Sequence, residues 1–287
     1  MIAQIVGVLY DGFAYGMLLF LLSVGLSVTL GLMNFTNLAH GSFAMLGGYV
    51  TLSLMQFADW PFLATLPVAF VVAALASVAF ERTLFRRLYR AGELNQVLFT
   101  IGLVFAAAAA AAYIFGTVQQ SVPVPDYLRG FVPVFGVNLA TYRLFLIGIA
   151  LVIAVLLVVG LERTRFGAVV RAAVDNQRMA KGLGIDVETV FAITFALGSG
   201  LAGLGGALAI DIVGLDPSFG FQFLVYVLIV VSVGGLGSIG GSFAAAALLG
   251  ISDVAGKYYA PEIGSFLIYA LMVGLLFFRP AGLFGRR

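Results

Sequence analysis

The sequence carries very little charge. Only 10% of its 287 residues are Asp, Glu, Lys or Arg, whereas a soluble domain has roughly 25%. Hydrophobic residues make up 62%, so too few polar groups remain to cover a water-exposed surface. The chain is therefore predicted to be an integral membrane protein. Its apolar segments are long runs rather than the ten-residue alternations of a membrane barrel, which predicts helical crossings.

Cysteine is absent and histidine occurs once, which limits the reactions and metal sites that this chain could support. Without cysteine there is no disulfide and no thiol chemistry. His40 has neither a cysteine nor a carboxylate at ligand spacing, so no metal site is predicted. The chain also lacks a G-x-S-x-G motif, and neither Lys181 nor Lys257 stands in a Walker A motif. We therefore expect no enzyme activity, no ATP site and no cofactor in this chain.

Nine apolar runs account for most of the length, and they predict an all-α polytopic bundle in a single domain over residues 1–287. At about 20 residues per crossing, eight or nine transmembrane helices fit. The count depends on two interruptions: the polar stretch around 34–40 and the glycine-dense segment 234–241, which is predicted to break a helix. The runs are 6–31, 41–57, 62–80, 96–115, 143–161, 189–210, 221–234, 241–255 and 263–278.

Twelve of the fifteen basic residues fall in three places: residues 81–93, residues 162–188 and the tail after residue 278. The positive-inside rule places these three on the cytoplasmic side. The Pro-rich loop 116–141 is then outside, with room for a short hairpin. Net charge is only +2, which gives no indication of nucleic-acid binding.

The segment 162–188 is the most charged part of the chain and is predicted to be a short amphipathic helix between two spans. Its apolar face has helical spacing, and an opposite stripe lets Asp175 pair with Arg171 or Arg178. Gly182 and Gly184 are expected to end the helix. The apolar face consists of Phe166, Val169, Val170, Ala173 and Val174. The segment is interpreted as a docking helix for a soluble partner, with a solvated loop as the alternative.

Asp186 is expected to cap the helix that follows this segment. Within the next span, Gly200, Gly203 and Gly206 are predicted to form a close helix-packing face. The match to G-x-G-x-x-G in this region lacks the strand that a dinucleotide site requires.

Polar residues also occur near membrane depth. Asn34, Asn37 and His40 either line a substrate path or satisfy unwound backbone, and the sequence leaves both interpretations open. Asp253 and Lys257, at positions i and i+4 near the outer end of a span, are expected to form a structural ion pair. Ionisable residues are almost absent from the centres of the first six runs, which argues against ion-coupled transport.

Three blocks of the sequence resemble the permease subunits of branched-chain amino-acid ABC transporters, specifically the shorter, H-type permease of the leucine/isoleucine/valine system. GLMNFTNLAHGSFAMLGGY (31–49) is similar to the N-F-x-H-G region of that family, with residues 36–38 inserted. RTRFGAVVRAAVDNQRMAKGLGI (163–185) is similar to its cytoplasmic coupling segment. DPSFGFQFLVYVLIVVSVGGLGSIGGSF (216–243) and the terminal RPAGLFGRR complete the resemblance.

The resemblance implies an importer of branched-chain or related amino acids in the bacterial inner membrane, working by alternating access. It implies a second homologous permease, two ATP-binding subunits that hold ATP and Mg, and an extracytoplasmic binding protein. The ATPase-coupling positions carried over are Arg165, Gly167, Arg171, Ala172, Ala180 and Gly184. Urea or short amides remain alternative substrates, and a stand-alone channel or ion-coupled carrier remains the alternative function.

Overall fold

The computed structural model describes residues 2–33, 37–88, 91–134 and 137–285. Within these ranges the chain is an all-α bundle with one small hairpin. The helices are α1 (Ile2–Met33), α2 (His40–Phe57), α3 (Phe62–Phe80), α4 (Arg86–Leu88), α5 (Glu93–Phe115), α6 (Thr141–Arg163), α7 (Arg165–Asp175), α8 (Gln177–Gly182), α9 (Val187–Val213), α10 (Phe219–Gly234), α11 (Ile239–Tyr259) and α12 (Gly264–Phe278). Asn34 lies outside the described residues.

The long helices coincide with the predicted apolar runs to within a few residues. Six of them are long and apolar enough to cross a membrane, and the shorter α10 and α12 are apolar as well. Together with α2, whose first turn is polar, this agrees with the expected eight or nine crossings. The agreement arises because an apolar segment in a membrane must satisfy its own backbone groups, which a helix does.

The structure adds detail in two regions, the end of α3 and the loop 116–141. α3 does not stop at residue 80 but continues through one π-helical turn, Glu81–Phe85, into α4. The loop 116–141 contains a short antiparallel hairpin of β1 (Phe131–Val134) and β2 (Val137–Ala140), with Phe131 opposite Ala140. The predicted hairpin is thus confirmed. It packs on the start of α1, where the Tyr10 hydroxyl donates to the Ala140 carbonyl over 2.7 Å.

α9 is the central element of the bundle, packed against α1, α2 and α3. Small residues allow these helices to approach at backbone distance. Gly25 of α1 faces Gly198, and Gly47 of α2 faces Gly203, so closely that a Cβ at either position would collide with the facing backbone. Such small-residue contacts are how apolar helices associate in a membrane, where tight packing replaces the hydrophobic effect.

The glycine-dense segment breaks the helix as predicted: α10 ends at Gly234, and α11 begins at Ile239. Gly235 has φ +95°, a conformation that side chains with a Cβ rarely adopt. The chain's end folds back onto this turn. The Leu283 amide donates to the Val233 carbonyl over 2.7 Å, and the Phe284 amide donates to that of Gly234 over 3.2 Å.

Candidate functional site

The amphipathic helix predicted between two spans is present as α7. Val170 and Ala173 are buried, and they pack on Val187, Val190 and Phe191 at the start of α9. The other residues of the predicted apolar face, Phe166, Val169 and Val174, border the same cluster. The predicted face is therefore confirmed. Its burial holds α7 rigidly against the base of the central helix.

The single helix expected up to Gly182 is wrong, because the chain forms two helices that separate at Asn176. This residue has an extended backbone (φ −153°, ψ 92°), and its side-chain oxygen accepts a hydrogen bond from the Met179 amide over 2.9 Å. Asparagine competes with helix interiors in this way and favours cap positions. Across the described chain, Asp175 forms no ion pair with Arg171 or Arg178.

The end of α8 is built for a sharp turn. Gly184 has φ +82°, and the Ile185 amide donates back to the Ala180 carbonyl over 3.0 Å, the pattern that commonly closes a helix at glycine. Asp186 then caps α9 by accepting from the Thr189 amide over 3.2 Å, as predicted. The Thr189 hydroxyl and amide hold the pKa of Asp186 below its ordinary value.

Several contacts fix this helical pair to the membrane part. A Cβ at Gly167 would collide with the backbone of Leu161 at the end of α6, so glycine allows the two helices to meet. The Arg171 guanidinium donates to the Leu161 carbonyl. Glu188 at the start of α9 pairs with Arg86, and Lys181 lies 3.8 Å from the same carboxylate. The first two basic loops are thus joined through one glutamate.

The six carried-over coupling positions divide into two groups. Gly167 and Ala180 are buried and shape the internal packing of α7 and α8. The other four are exposed: Arg165, Arg171, Ala172 and Gly184. Two further residues of this segment, Met179 and Leu183, are 68% and 79% exposed despite being large and apolar, which the sequence pattern did not indicate. Their neighbours in the chain, Arg178 and Lys181, are basic and exposed as well.

The residues predicted for a substrate path lie deep in the bundle. Asn37 and His40 are both buried. The Asn37 side-chain oxygen accepts from the Ala39 amide over 3.1 Å, and His40 Nε2 donates to the Leu22 carbonyl of α1 over 3.0 Å. Part of their hydrogen-bonding capacity therefore supports the backbone where α2 begins. The side-chain nitrogen of Asn37 meets no partner within the described ranges.

The three packing glycines of α9 lie at close helix contacts. Gly200 faces the Phe70 ring of α3, Gly203 faces Ala73, and a Cβ at Gly206 would collide with the Ala44 carbonyl of α2. α9 therefore touches α7 at one end and α2 in its middle. The same helix therefore links the amphipathic pair to the first half of α2.

Asp253 and Lys257 form the expected ion pair, with 2.6 Å between Nζ and the carboxylate. Asp253 is buried, whereas the Lys257 side chain is half exposed. Among the residues the structure describes, no group of three His, Cys, Asp or Glu side chains could hold a metal ion.

The comparisons with known proteins decide the family. The family described as branched-chain amino acid transport system / permease component matches residues 8–276. The chain belongs to this family. It is a multi-pass permease of the cell membrane, as the six membrane-competent helices also indicate. The resemblance found in the three sequence blocks is thereby confirmed.

Three relatives show how much of this permease is similar to known proteins. A probable branched-chain amino acid transport permease protein LivH of Methanocaldococcus jannaschii is 30% identical, covering 94% of this chain and 87% of the relative. The high-affinity branched-chain amino acid transport system permease protein LivH of Escherichia coli is 25% identical, covering 97% and 94%. The protein LivM of the same Escherichia coli system is also 25% identical, over 93% of this chain and 68% of LivM. No solved structure matches the permease.

Proposed function

We propose that this permease moves branched-chain or related aliphatic amino acids by alternating access, driven by two ATP-binding subunits that dock on α7 and α8. The observation that carries the proposal is the exposed apolar pair Met179 and Leu183. Large apolar side chains that stay exposed on a soluble segment, here next to basic residues, are a feature of protein-binding sites. We further propose that ATP and Mg bind only in the partner subunits and that this chain is not an enzyme.

The path of the motion follows from packing. α7 is fixed to α6 through Gly167 and to α9 through the cluster around Val170. α9 in turn crosses α2 with backbone contact at Gly203 and Gly206. A displacement of the docking helices is therefore transmitted along α9 as a packed rigid element, because close-packed interiors do not absorb it. Along this path the motion reaches α2 at residues 44–47, next to its buried first turn.

Partners complete the proposed assembly. A second permease is expected because LivH and LivM of one Escherichia coli system both match this chain. An extracytoplasmic binding protein would deliver substrate to the side of the hairpin. Nucleotide-driven closure of the ATPases shifts the population between two conformations, provided that they bind α7 and α8 differently in each.

The test introduces charge at this exposed apolar pair. Met179→Glu together with Leu183→Glu places two carboxylates where an apolar contact is proposed. We expect loss of the ATPases from the purified complex and a fall in ATP-dependent leucine uptake of about tenfold or more. Uptake is measured with radiolabelled leucine in proteoliposomes that contain the full transporter.

Val118→Glu is the matched control, because Val118 is equally exposed but lies in the loop expected on the opposite side. This control should retain its ATPases. ATPase recovery is the readout compared, because Val118 lies on the side where the binding protein is proposed to deliver substrate. Normal ATPase recovery and normal uptake by the Met179/Leu183 variant would contradict the proposed docking surface.

A further inference from the structure

A cavity of about 220 Å³ lies between α2 and α5, with the end of α3 as a third wall. Its lining is mostly aliphatic and aromatic. α2 contributes Phe43 and Leu46, α3 contributes Phe80, and α5 contributes Leu103 and Ala107. Nothing in the proposed docking mechanism uses this space.

Two hydroxyl groups of α2 border this otherwise apolar cavity. Ser42 and Tyr49 both line it and are both nine-tenths or more buried. Neither side-chain oxygen has a hydrogen-bond partner in the part of the chain that the structure describes. The Tyr49 ring stacks on Phe115 at a centroid distance of 4.2 Å and so borders one end. The large majority of buried hydroxyls in native proteins are paired with protein, water or a ligand.

The start of α2 borders the other end of the cavity through Ala39 and Ser42. Ser42 lies in the first turn of α2. The N-cap residue of this helix, Ala39, makes no side-chain capping hydrogen bond. The buried side-chain nitrogen of Asn37 precedes it, with no partner among the described residues. The start of α10 lies against the start of α2, since Gly41 packs directly against Gly220. Helix N-termini carry partial positive charge and favour anions such as carboxylates.

We propose that this cavity binds the transported amino acid itself. The carboxylate lies at the N-terminus of α2 beside Ser42, and the branched aliphatic side chain occupies the apolar space between α2 and α5. This inference rests on the proposed function and adds the location and chemistry of the substrate site. The volume is below the 300–1,000 Å³ of clefts for drug-sized ligands, which suits a ligand as small as an amino acid.

A lipid acyl chain is the competing occupant. An acyl chain would fill the apolar walls but would leave the Ser42 hydroxyl without a hydrogen-bonding group. The carboxylate and the aliphatic side chain of the substrate match the polar end and the apolar walls of the cavity, so the structure favours the substrate, and the experiment separates the two.

The probe is a leucine analogue that carries a photoreactive diazirine in its side chain. It is supplied during ATP-driven uptake by the complete transporter in proteoliposomes, followed by illumination and peptide mapping. We expect labelling on the cavity faces of α2 and α5, within residues 39–49 and 103–115. Excess unlabelled leucine should suppress this labelling, and a diazirine-bearing phospholipid should not reproduce it.

A pair of variants sharpens the test. Ala107→Leu fills the cavity, whereas Ala109→Leu adds the same atoms on the opposite face of α5, since two residues turn a helix by about 200°. A difference of one methylene in an apolar pocket changes recognition by about 10–200-fold. We therefore expect labelling to fall about tenfold or more in Ala107→Leu and to stay unchanged in Ala109→Leu, with both variants retaining their ATPases.

The outcomes separate the inference from the proposed function. If the analogue is transported but labels other segments, or if Ala107→Leu labels like the wild type, the cavity is not the substrate site. Cavity labelling by the phospholipid alone assigns the space to lipid and also overturns the inference. If the wild-type transporter takes up neither leucine nor the analogue, the proposed function itself fails.

Discussion

At the scale of single residues, Asp253 is the most unusual feature of the membrane part. Its carboxylate is buried in α11. One oxygen pairs with Lys257, and the other meets no hydrogen-bond partner among the described residues. A buried carboxylate depends on its counter-ion because desolvation penalises the charged form. The pair therefore stabilises α11 only while both members are present.

Replacing the lysine tests this dependence. Lys257→Met leaves the Asp253 carboxylate without its counter-ion. We expect the free energy of unfolding to fall by on the order of 1–3 kcal/mol. The loss is not larger because the Lys257 side chain is half exposed, which weakens the ion pair. Thermal unfolding of the purified complex in detergent measures it. The double change Asp253→Asn with Lys257→Met should recover most of the loss. A Lys257→Met variant that melts at the wild-type temperature would show that the pair contributes nothing.

At the scale of elements, the proposed transmission of motion passes through the close crossing of α2 and α9. Gly206→Val places a side chain against the Ala44 carbonyl, so the two helices must separate. Overpacking of this kind typically costs about 1–3 kcal/mol. We expect a lower melting temperature and a loss of uptake.

Gly102→Val is the matched control for this crossing. Gly102 is also a glycine in the middle of a membrane helix, but a Cβ there meets nothing within 4 Å among the described residues. Its melting temperature and uptake should stay close to wild type. Equal behaviour of Gly206→Val and Gly102→Val, measured side by side, would mean that the α2–α9 contact is not required.

The elements themselves could largely be predicted from the sequence. The apolar runs and the spacing of Phe166, Val169, Val170 and Ala173 identified the spans and the buried face of α7, because periodicity records burial directly. The break at Asn176 was missed, since a capping asparagine looks like any polar residue on a helical stripe. The exposure of Met179 and Leu183 was also not predicted, because a single apolar residue in a sequence does not show whether its side of the helix is buried.

At the scale of the whole molecule, the proposed coupling and the cavity both depend on contacts between distant parts of the chain. Arg86 and Glu188 are 102 residues apart, and the cavity forms only where α2, α3 and α5 meet. Neither the ion pair nor the cavity can be predicted from the local sequence pattern. The pattern indicates which face of a helix is buried but not which other helix packs on it. The structure adds this arrangement, in which α7 packs on α9 and α9 packs on the first half of α2.

The most direct test of the central claim is whether ATP acts on the cavity through the docking helices. The chain has no cysteine, so Leu46→Cys introduces a single thiol into this subunit at the cavity. Its rate of modification by a membrane-impermeant thiol reagent is measured in the complete transporter with and without ATP. Val118→Cys in the expected outside loop reports whether the reagent has access.

Alternating access predicts that ATP changes the Leu46→Cys rate by about 5–150-fold, the usual range of coupling between sites. The change should disappear when Met179→Glu and Leu183→Glu are added, while Val118→Cys reacts equally in every condition. A Leu46→Cys rate that ATP leaves unchanged, or that still responds to ATP in the docking variant, would contradict the account.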